Sequence, residues 1–282
     1  CNPEIFVSLD SGNNFTKIYS KNISKEKFIE IVEKAKFYVK EGDIFQVNLS
    51  QRFGAEIGKD ESIELYRILR AINPSPFASL VHLNDFKLIS QSPERLVRLK
   101  DGIADTRPIA GTRRLVKGNE VKNEELAMEL KNDPKECAEH VMLVDLERND
   151  IGKIAEFGTV EVDEFMVIER YSHVMHLVSN VKGVLRKDLD AFDLLKAMFP
   201  GGTITGAPKI RSMEIIEELE PTRRGFYTGS LGFVGYNGDM DFNIIIRSFI
   251  EKNNKVYFQV GAGIVYDSIP EREYKERGYT FI

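Results

Sequence analysis

Four glutamates set the first chemical possibility. Glu136 and Glu139 stand three residues apart in "DPKECAEH", and Glu273 and Glu276 repeat that interval in "PEREYKE". On a helix, such an interval puts two carboxylates on one face, one turn apart. Two pairs of this kind facing each other make an oxygen-rich site for a hard divalent cation such as Mg²⁺. Taken singly, each pair is also what a solvated helix face looks like in a chain with 29% charged residues.

A second group points to an anionic ligand. "FPGGTITGAPK" sets Gly201, Gly202 and Gly206 ahead of a helix that opens near Pro208. Backbone N–H groups at such a helix start bind anions. Gly206 is followed by Ala-Pro-Lys rather than Lys-Ser/Thr, so a carboxylate fits better than a nucleotide phosphate, with a tight structural turn as the alternative. Arg247, after three isoleucines, is either a snorkelling surface residue or a clamp on a carboxylate. Tyr227 in "RGFYTGS" is either core or a hydroxyl donor lining the same pocket. "GAGI" (Gly261, Ala262, Gly263 and Ile264) offers backbone amides, and Glu94 behind Pro93 is a positioned acid or a surface carboxylate.

His173 and His176 lie three apart in the strand-like "YSHVMHLVS" and so point to opposite faces, which excludes a metal pair. His176, between Met175 and Leu177, is either a cleft residue or a satisfied structural ring. No HExxH and no paired CxxC is present, so zinc chemistry is not indicated. "DTRPIAGTRR" has the form of a holding loop, with Pro108 and Gly111 fixing the backbone between arginines, yet its centre is the inert Ala110.

The elements that must position these residues read as a mixture of helices and paired strands. "SKEKFIEIVEKAKFYVKEGD" starts at Ser24 as N-cap, gathers Phe28, Ile31, Val32 and Ala35 on one face and stops at Gly42. "IFQVNLSQRFGAEI" alternates as a strand, and "SIELYRILRAIN" is a second helix stopped by "NPSP". Strands follow in "FASLVHL", "FKLISQS" and "RLVRLKDGIADTRP", then a polar helix over 119–131. Asp133 as N-cap, Pro134 at N1 and Glu136 at N3 predict a capping box at the next helix. Strands are expected over 159–168, 173–185, 226–236, 241–251 and 254–265, and helices over 189–198 and 208–219. Hairpins such as "FIEKNNKVYF" make this an antiparallel α+β chain.

With 282 residues and 42% hydrophobic content the chain has the composition of a globular protein. Its net charge of −5 argues against a nucleic-acid partner but leaves room for a small anion in a local arginine-lined pocket. Two cysteines form no disulfide framework and no apolar run has the length of a membrane span, so a cytoplasmic protein is expected. The start at Cys1 and the stop at Ile282 read as a fragment trimmed at both ends.

Taken in order, "GDIFQVNLSQRF", "SPERLV", "RPIAGTRR", "KECAEHVMLVDLERNDIG", "YSHVMHLVS", "FPGGTITGAPK", "GSLGF", "GDMDFNIIIRS" and "GAGIVYDSIPEREYKE" resemble the chorismate-utilising enzymes. That family includes component I of anthranilate synthase and of aminodeoxychorismate synthase, and the isochorismate and salicylate synthases. The resemblance implies an α+β fold with an antiparallel β-sandwich core flanked by helices. Residues 1–22 would be a linker or remnant of the family's N-terminal portion, and 23–282 the chorismate-binding catalytic domain with an atypical "RGYTFI" end. It implies that Glu139 and Glu276 bind Mg²⁺ directly, with Glu136 and Glu273 assisting. Thr205 and Gly206 of the "TITGAPK" loop, Tyr227, Arg247 and the amides of Gly261, Ala262 and Gly263 would hold the substrate's carboxylates. Glu94 would protonate the departing 4-hydroxyl, His176 would transfer a proton, and Thr112 beside Gly111 would hydrogen-bond near the reacting end of the ring.

Two positions bear on the nucleophile. Members that add water have a lysine where this chain has Gln46, so ammonia is the expected nucleophile. Some aminodeoxychorismate synthases have a covalent lysine at the place of Ala110. The wording of "FPGGTITGAPK", "NPSPFASL" and "DFNIIIR" leans toward aminodeoxychorismate synthase over anthranilate synthase. Either reaction implies a separate glutamine amidotransferase subunit, component II, as ammonia source. A non-catalytic chorismate-binding relative is the alternative of a different class.

Overall fold

The computed structural model describes residues 19–58, 61–171 and 174–276. His173 and the terminal "RGYTFI" lie outside the described residues. In chain order the elements are β1 (Tyr19–Lys21), α1 (Lys25–Lys40), β2 (Gln46–Glu56), α2 (Ser62–Ile72), β3 (Phe77–Leu83) and β4 (Phe86–Ser92). Then come β5 (Arg95–Lys100), β6 (Ile103–Thr106), β7 (Ile109–Arg114), α3 (Glu120–Asn132), α4 (Pro134–Gly152), β8 (Glu161–Arg170), β9 (Val174–Val184) and α5 (Ala191–Met198). The chain closes with β10 (Gly206–Ala207), α6 (Lys209–Leu219), β11 (Gly232–Val234), β12 (Met240–Asn243), β13 (Ser248–Lys252), β14 (Lys255–Ile264) and α7 (Pro270–Glu276).

These elements form two compact units, each with one seven-stranded antiparallel sheet. The first unit takes Cys1–Pro93, Ile204–Gly229 and Ile245–Ile282, and its strands run β1-β2-β14-β13-β4-β3 with β10 added to β2. The second takes Glu94–Thr203 and Ser230–Ile244, ordered β11-β12-β5-β6-β9-β7 with β8 also on β9.

In the first unit, Ser24 accepts the Lys27 N–H and so starts α1. Its apolar stripe of Phe28, Ile31, Val32 and Ala35 packs with Val47, Leu49 and Ile264 of the sheet and with Ile215 and Leu219 of α6. Burying a side chain such as Phe28 contributes about 1.5–3 kcal/mol, which is why this helix is legible in the sequence. The β13–β14 hairpin turns at Asn253 and Asn254, with φ of 54° and 58°. Two successive left-handed residues are what a tight hairpin turn needs, and asparagine tolerates that conformation.

Three expectations are corrected. Only Gly232–Val234 of the strand expected over 226–236 is a strand, because Phe226–Gly229 is a turn closed by the Gly229 N–H donating to the Phe226 carbonyl. The strand expected over 241–251 is two strands in different sheets. Ile244 donates its N–H to Glu94 and Ile245 donates to Gly229, so the pairing changes unit between adjacent residues, and Arg247 is left-handed at φ 49°. An unbroken apolar run hides such a change of partner. At α4, Asp133 caps as expected by accepting from Lys135 and Glu136, but the Glu136 carboxylate accepts from Arg113 instead of completing the box. The full capping box belongs to α5, between Asp190 and Asp193.

Candidate active site

In the second unit the β7–β9 ladder brings together two residues singled out in the sequence. Thr112 pairs with His176, and Thr112 Oγ1 lies 3.0 Å from His176 Nδ1. The Gly111 carbonyl is 3.3 Å from the same nitrogen. A carbonyl can only accept, so the Gly111 contact is a hydrogen bond in the tautomer with the proton on Nδ1, which makes Nε2 the basic nitrogen of that form. His176 is buried, with Tyr171 edge-on at 5.6 Å and Glu169 opposite it on β8. Burial raises the Glu169 pKa, but hydrogen bonds from the Tyr171 hydroxyl and Arg107 outweigh it and hold the carboxyl below its usual range. Burial and the hydrogen bond to Glu169 push Tyr171 up to about 12. The carboxylate beside His176 therefore stays charged. Arg107, Glu169 and Tyr171 escaped the sequence reading, since charged or polar residues at strand edges carry no periodic signal.

Gly111 has φ 64°, and a Cβ there would lie 2.7 Å from Leu130 and 2.9 Å from Glu136 Oε2. The space this glycine leaves is filled by α3 and α4 and fixes Glu136 against β7. Arg113 donates to Glu136 at 3.2 Å, and Lys135 lies 3.7 Å from Glu139. One turn on, the buried His140 places Nε2 2.6 Å from Ser179 Oγ, which also accepts the Met166 N–H. Burial holds the His140 pKa down at about 4, so the ring is neutral. This contact pins α4, with Glu136 and Glu139 in its first turns, to β9. Glu94 is buried at the start of β5 and accepts a hydrogen bond from Thr203 Oγ1 at 2.7 Å.

In the first unit, the polar half of the β2 alternation is itself buried at Gln46 and Ser50. The side chains of Gln46 and Asn48 lie over two glycines of β14. A Cβ on Gly263 would lie 2.7 Å from Gln46 Nε2, and one on Gly261 would lie 2.3 Å from Asn48 Oδ1 and 2.6 Å from the Tyr227 hydroxyl. The β13 partner of β14 stops at Phe258, so residues 259–264 pair with β2 on one edge and, among the described strands, with none on the other. Asn48 and Ser50 turn their N–H groups away from β14, to Thr205 and Glu220, so their partners Gly261 and Gly263 face that open edge, while the Ala262 amide, also expected to face a carboxylate, is turned toward Leu49 of β2.

Thr205 and Gly206 are stitched to β2, the Thr205 carbonyl accepting the Asn48 N–H at 2.9 Å. A Cβ on Gly206 would lie 2.2 Å from the Gln46 carbonyl, so only glycine fits. Gly202 is also closely packed, with the end of the Leu146 side chain 2.3 Å from its Cβ position, and these glycines serve close packing. Arg247 is half-buried beside β4, to which its carbonyl is bonded through the Gln91 N–H. The sequence reading also missed Arg224. It donates to Glu220 at 2.7 Å and to the Asn48 carbonyl at 2.5 Å, and lies 5.6 Å from the Tyr227 ring centre, while Glu220 accepts from Ser50. The i, i+4 Glu-Arg interval is the one trace of this network in the sequence.

The metal expectation is compatible with the donor chemistry. Glu136 and Glu139 are partly buried carboxylates on one face of α4, with side chains 23% and 30% exposed. Glu273 is buried in the first turn of α7, and Glu276 ends that helix with a side chain outside the described ones. All four are oxygen donors, as Mg²⁺ prefers, and a cation that keeps several waters needs only one or two carboxylates. Among the described residues no three His, Cys, Asp or Glu side chains form a ready cage. An open depression lined by Asp145, Arg148, Phe157 and Arg186 includes none of the residues above. No helix among the described residues is long and apolar enough to cross a membrane.

The sequence of residues 5–278 matches the chorismate binding enzyme family. This chain is a chorismate binding enzyme family member. Its fold is the α+β chorismate-binding fold of that family. Aminodeoxychorismate synthase component 1 of Bacillus subtilis (strain 168) is 54% identical over 258 residues, which are 92% of this chain and 54% of the relative. Anthranilate synthase component 1 of Acetivibrio thermocellus is 53% identical over 257 residues, 91% of this chain and 52% of that protein. The crystal structure of anthranilate synthase component I from Streptococcus pneumoniae TIGR4 matches with a TM-score of 0.85 at 46% identity, covering 92% of this chain and 57% of that one. This chain thus spans about half the length of the curated relatives it matches.

Proposed function

We propose that the chain is the catalytic part of a Mg²⁺-dependent enzyme that aminates chorismate to 4-amino-4-deoxychorismate, as component I of an aminodeoxychorismate synthase. The observation that carries amination is Gln46, a buried amide at the strand position where water-adding relatives have a basic lysine. An amide cannot take a proton from water, whereas neutral ammonia needs no base. The ammonia lone pair forms a bond to C4 while the C4–O bond breaks. Glu94 gives its proton to the departing hydroxyl, which leaves as water, and takes one back from the new C–NH₃⁺ group. The sum is chorismate plus ammonia to aminodeoxychorismate plus water. Ala110 offers no loop lysine for covalent capture of the ring.

Thr205, Gly206, Tyr227, Arg247 and the Gly261 and Gly263 amides would hold the carboxylates, Arg247 by charge and the rest by hydrogen bonds. Glu136 and Glu139, and separately Glu273 and Glu276, are the carboxylates offered to Mg²⁺. When bound, the ion would neutralise the ring carboxylate and orient the ring. Ammonia would come from free ammonium or from a glutamine amidotransferase subunit, component II, in the cytoplasm.

One observation favours a second reading, anthranilate synthase. With its proton on Nδ1, His176 presents a basic Nε2 beside the charged Glu169, as pyruvate elimination after attack at C2 would require. The two are separated by incubating the full-length protein with chorismate, Mg²⁺ and ammonium. A product that yields 4-aminobenzoate only after a separate lyase is added supports the first reading. Fluorescent anthranilate formed without a lyase supports the second.

A further inference from the structure

We propose that Arg224 is a positioning residue of the carboxylate-binding set: its guanidinium fixes the Tyr227 ring and the segment leading to Thr205 and Gly206, and through them sets the affinity for chorismate. The inference rests on the substrate-binding roles given to Tyr227, Thr205 and Gly206 above and deepens them by naming the group that holds all three.

Arg224 is largely buried, its side chain 13% exposed, and its partner Glu220 is 4% exposed. Separate stretches of the first unit meet on the guanidinium. Nη1 donates to the Ile204 carbonyl at 2.9 Å and Nη2 to the Asn48 carbonyl at 2.5 Å, while Nε and Nη2 donate to Glu220 at 3.0 and 2.7 Å. Glu220 is held in turn from the sheet. It accepts from the Ser50 N–H and hydroxyl, each at 2.8 Å, and that hydroxyl accepts from Gln259 of β14. The Ile204 carbonyl is followed by the Thr205 carbonyl, which accepts the Asn48 N–H at 2.9 Å. Consecutive carbonyls of the loop are thus tied down, and Gly206 follows with no room for a Cβ beside the Gln46 carbonyl.

The same guanidinium lies 5.6 Å from the centre of the Tyr227 ring, within the reach of a cation–π contact. The far end of that ring sits against β14, where a Cβ on Gly261 would lie 2.6 Å from the Tyr227 hydroxyl. The next residue, Thr228, is buried and left-handed at φ 63°. A β-branched residue adopts that conformation at a cost, and only where its surroundings enforce it. Here the Thr228 N–H donates to the Ile245 carbonyl and its hydroxyl to the Tyr227 carbonyl. Tyr227 is therefore held by its backbone and by its ring. A hydroxyl in place before the substrate arrives loses little freedom on binding, which favours affinity. Lysine is a poor substitute for this arginine, because a single ammonium lacks the planar fork that meets Glu220 and two carbonyls at once.

The test measures chorismate consumption by full-length protein at saturating Mg²⁺ and ammonium, so it reads the same whichever product forms. Arg224→Lys keeps a positive charge opposite Glu220. It is expected to raise the KM for chorismate about tenfold, the scale of one hydrogen bond, with kcat within about threefold. A merely structural role would leave fewer folded molecules, lowering kcat and the melting temperature at unchanged KM. Tyr227→Phe keeps the ring, removes the hydroxyl and is expected to raise the same KM about tenfold. In the double variant the rise should stay below about thirtyfold, short of the hundredfold product, because both changes act on one hydroxyl. Where Arg224→Lys does not fold, Glu220→Gln combined with Arg224→Gln leaves no buried charge unopposed, and the same KM criteria apply to it. An unchanged chorismate KM in either single variant, or the full hundredfold rise in the double variant, overturns the inference and leaves the proposed function standing. If wild-type protein consumes no chorismate, the proposed function fails and takes this inference with it.

Discussion

Thr112 and His176 stand opposite each other on β7 and β9, with Oγ1 and Nδ1 3.0 Å apart and the Gly111 carbonyl closing on the same nitrogen at 3.3 Å. The ring orientation is therefore set by a backbone ladder rather than by a flexible neighbour. This explains how "DTRPIAGTRR" can be centred on inert Ala110. The buried alanine pairs with Leu177, and the polar contacts to His176 come from Gly111 and Thr112, the two residues that follow it.

Thr112→Val removes the hydroxyl and leaves the strand. On the anthranilate reading, where His176 moves a proton, we expect kcat to fall about tenfold or more with the chorismate KM within about twofold; on the aminodeoxychorismate reading, where Glu94 does so, kcat should change less. Thr112→Ser restores the rate. Steady-state kinetics on full-length protein check both.

His140 titrates near 4 when folded, because it is buried, against about 6.5 when unfolded. Between those values the unfolded chain binds the extra proton, so stability rises with pH through this window and falls as pH drops from about 6.5 to about 4. The full loss is on the order of 3 kcal/mol. His140→Gln should flatten that part of the curve. Urea midpoints taken across pH 4–7 measure it, and an unchanged slope in the variant removes His140 as its source.

Gly111→Ala puts a Cβ 2.7 Å from Leu130 and 2.9 Å from Glu136 at a backbone φ of 64°. Strain and overpacking together should cost about 2–4 kcal/mol, seen as a lower urea midpoint with an unchanged m-value. Because Glu136 is the atom group displaced, the Mg²⁺ requirement should rise as well.

Glu139→Gln keeps the helix and removes a charged oxygen donor. The Mg²⁺ concentration for half-maximal activity should rise by about 10–100-fold, with the melting temperature little changed. Chelation should abolish wild-type turnover, and added Mg²⁺ should restore it. Activity indifferent to both treatments would remove the metal from the account.

What the sequence makes legible follows from what has a period or a local signature. α1 is readable from its Ser24 cap and its Phe28–Ile31–Val32–Ala35 stripe, and the last hairpin from Asn253-Asn254. The split of the expected 241–251 strand is hidden because Ile244 and Ile245 look alike while their N–H groups go to different units. In the candidate site, Glu94, Thr112 and His176 are reachable through the family's motifs. Arg224 is not, since its partner Asn48 lies 176 positions away and only folding joins them. Asn48 itself is readable in principle. Gln46, Asn48 and Ser50 make one face of β2 polar, and a polar face becomes informative only once its burial is known.

The most direct test of the central claim supplies nitrogen-15 ammonium, Mg²⁺ and chorismate to the full-length protein and follows the label by mass spectrometry. The account predicts consumption of chorismate and one nitrogen-15 in a product that retains its enolpyruvyl group, with one water lost. Chorismate left intact, or converted to a product without label, contradicts it.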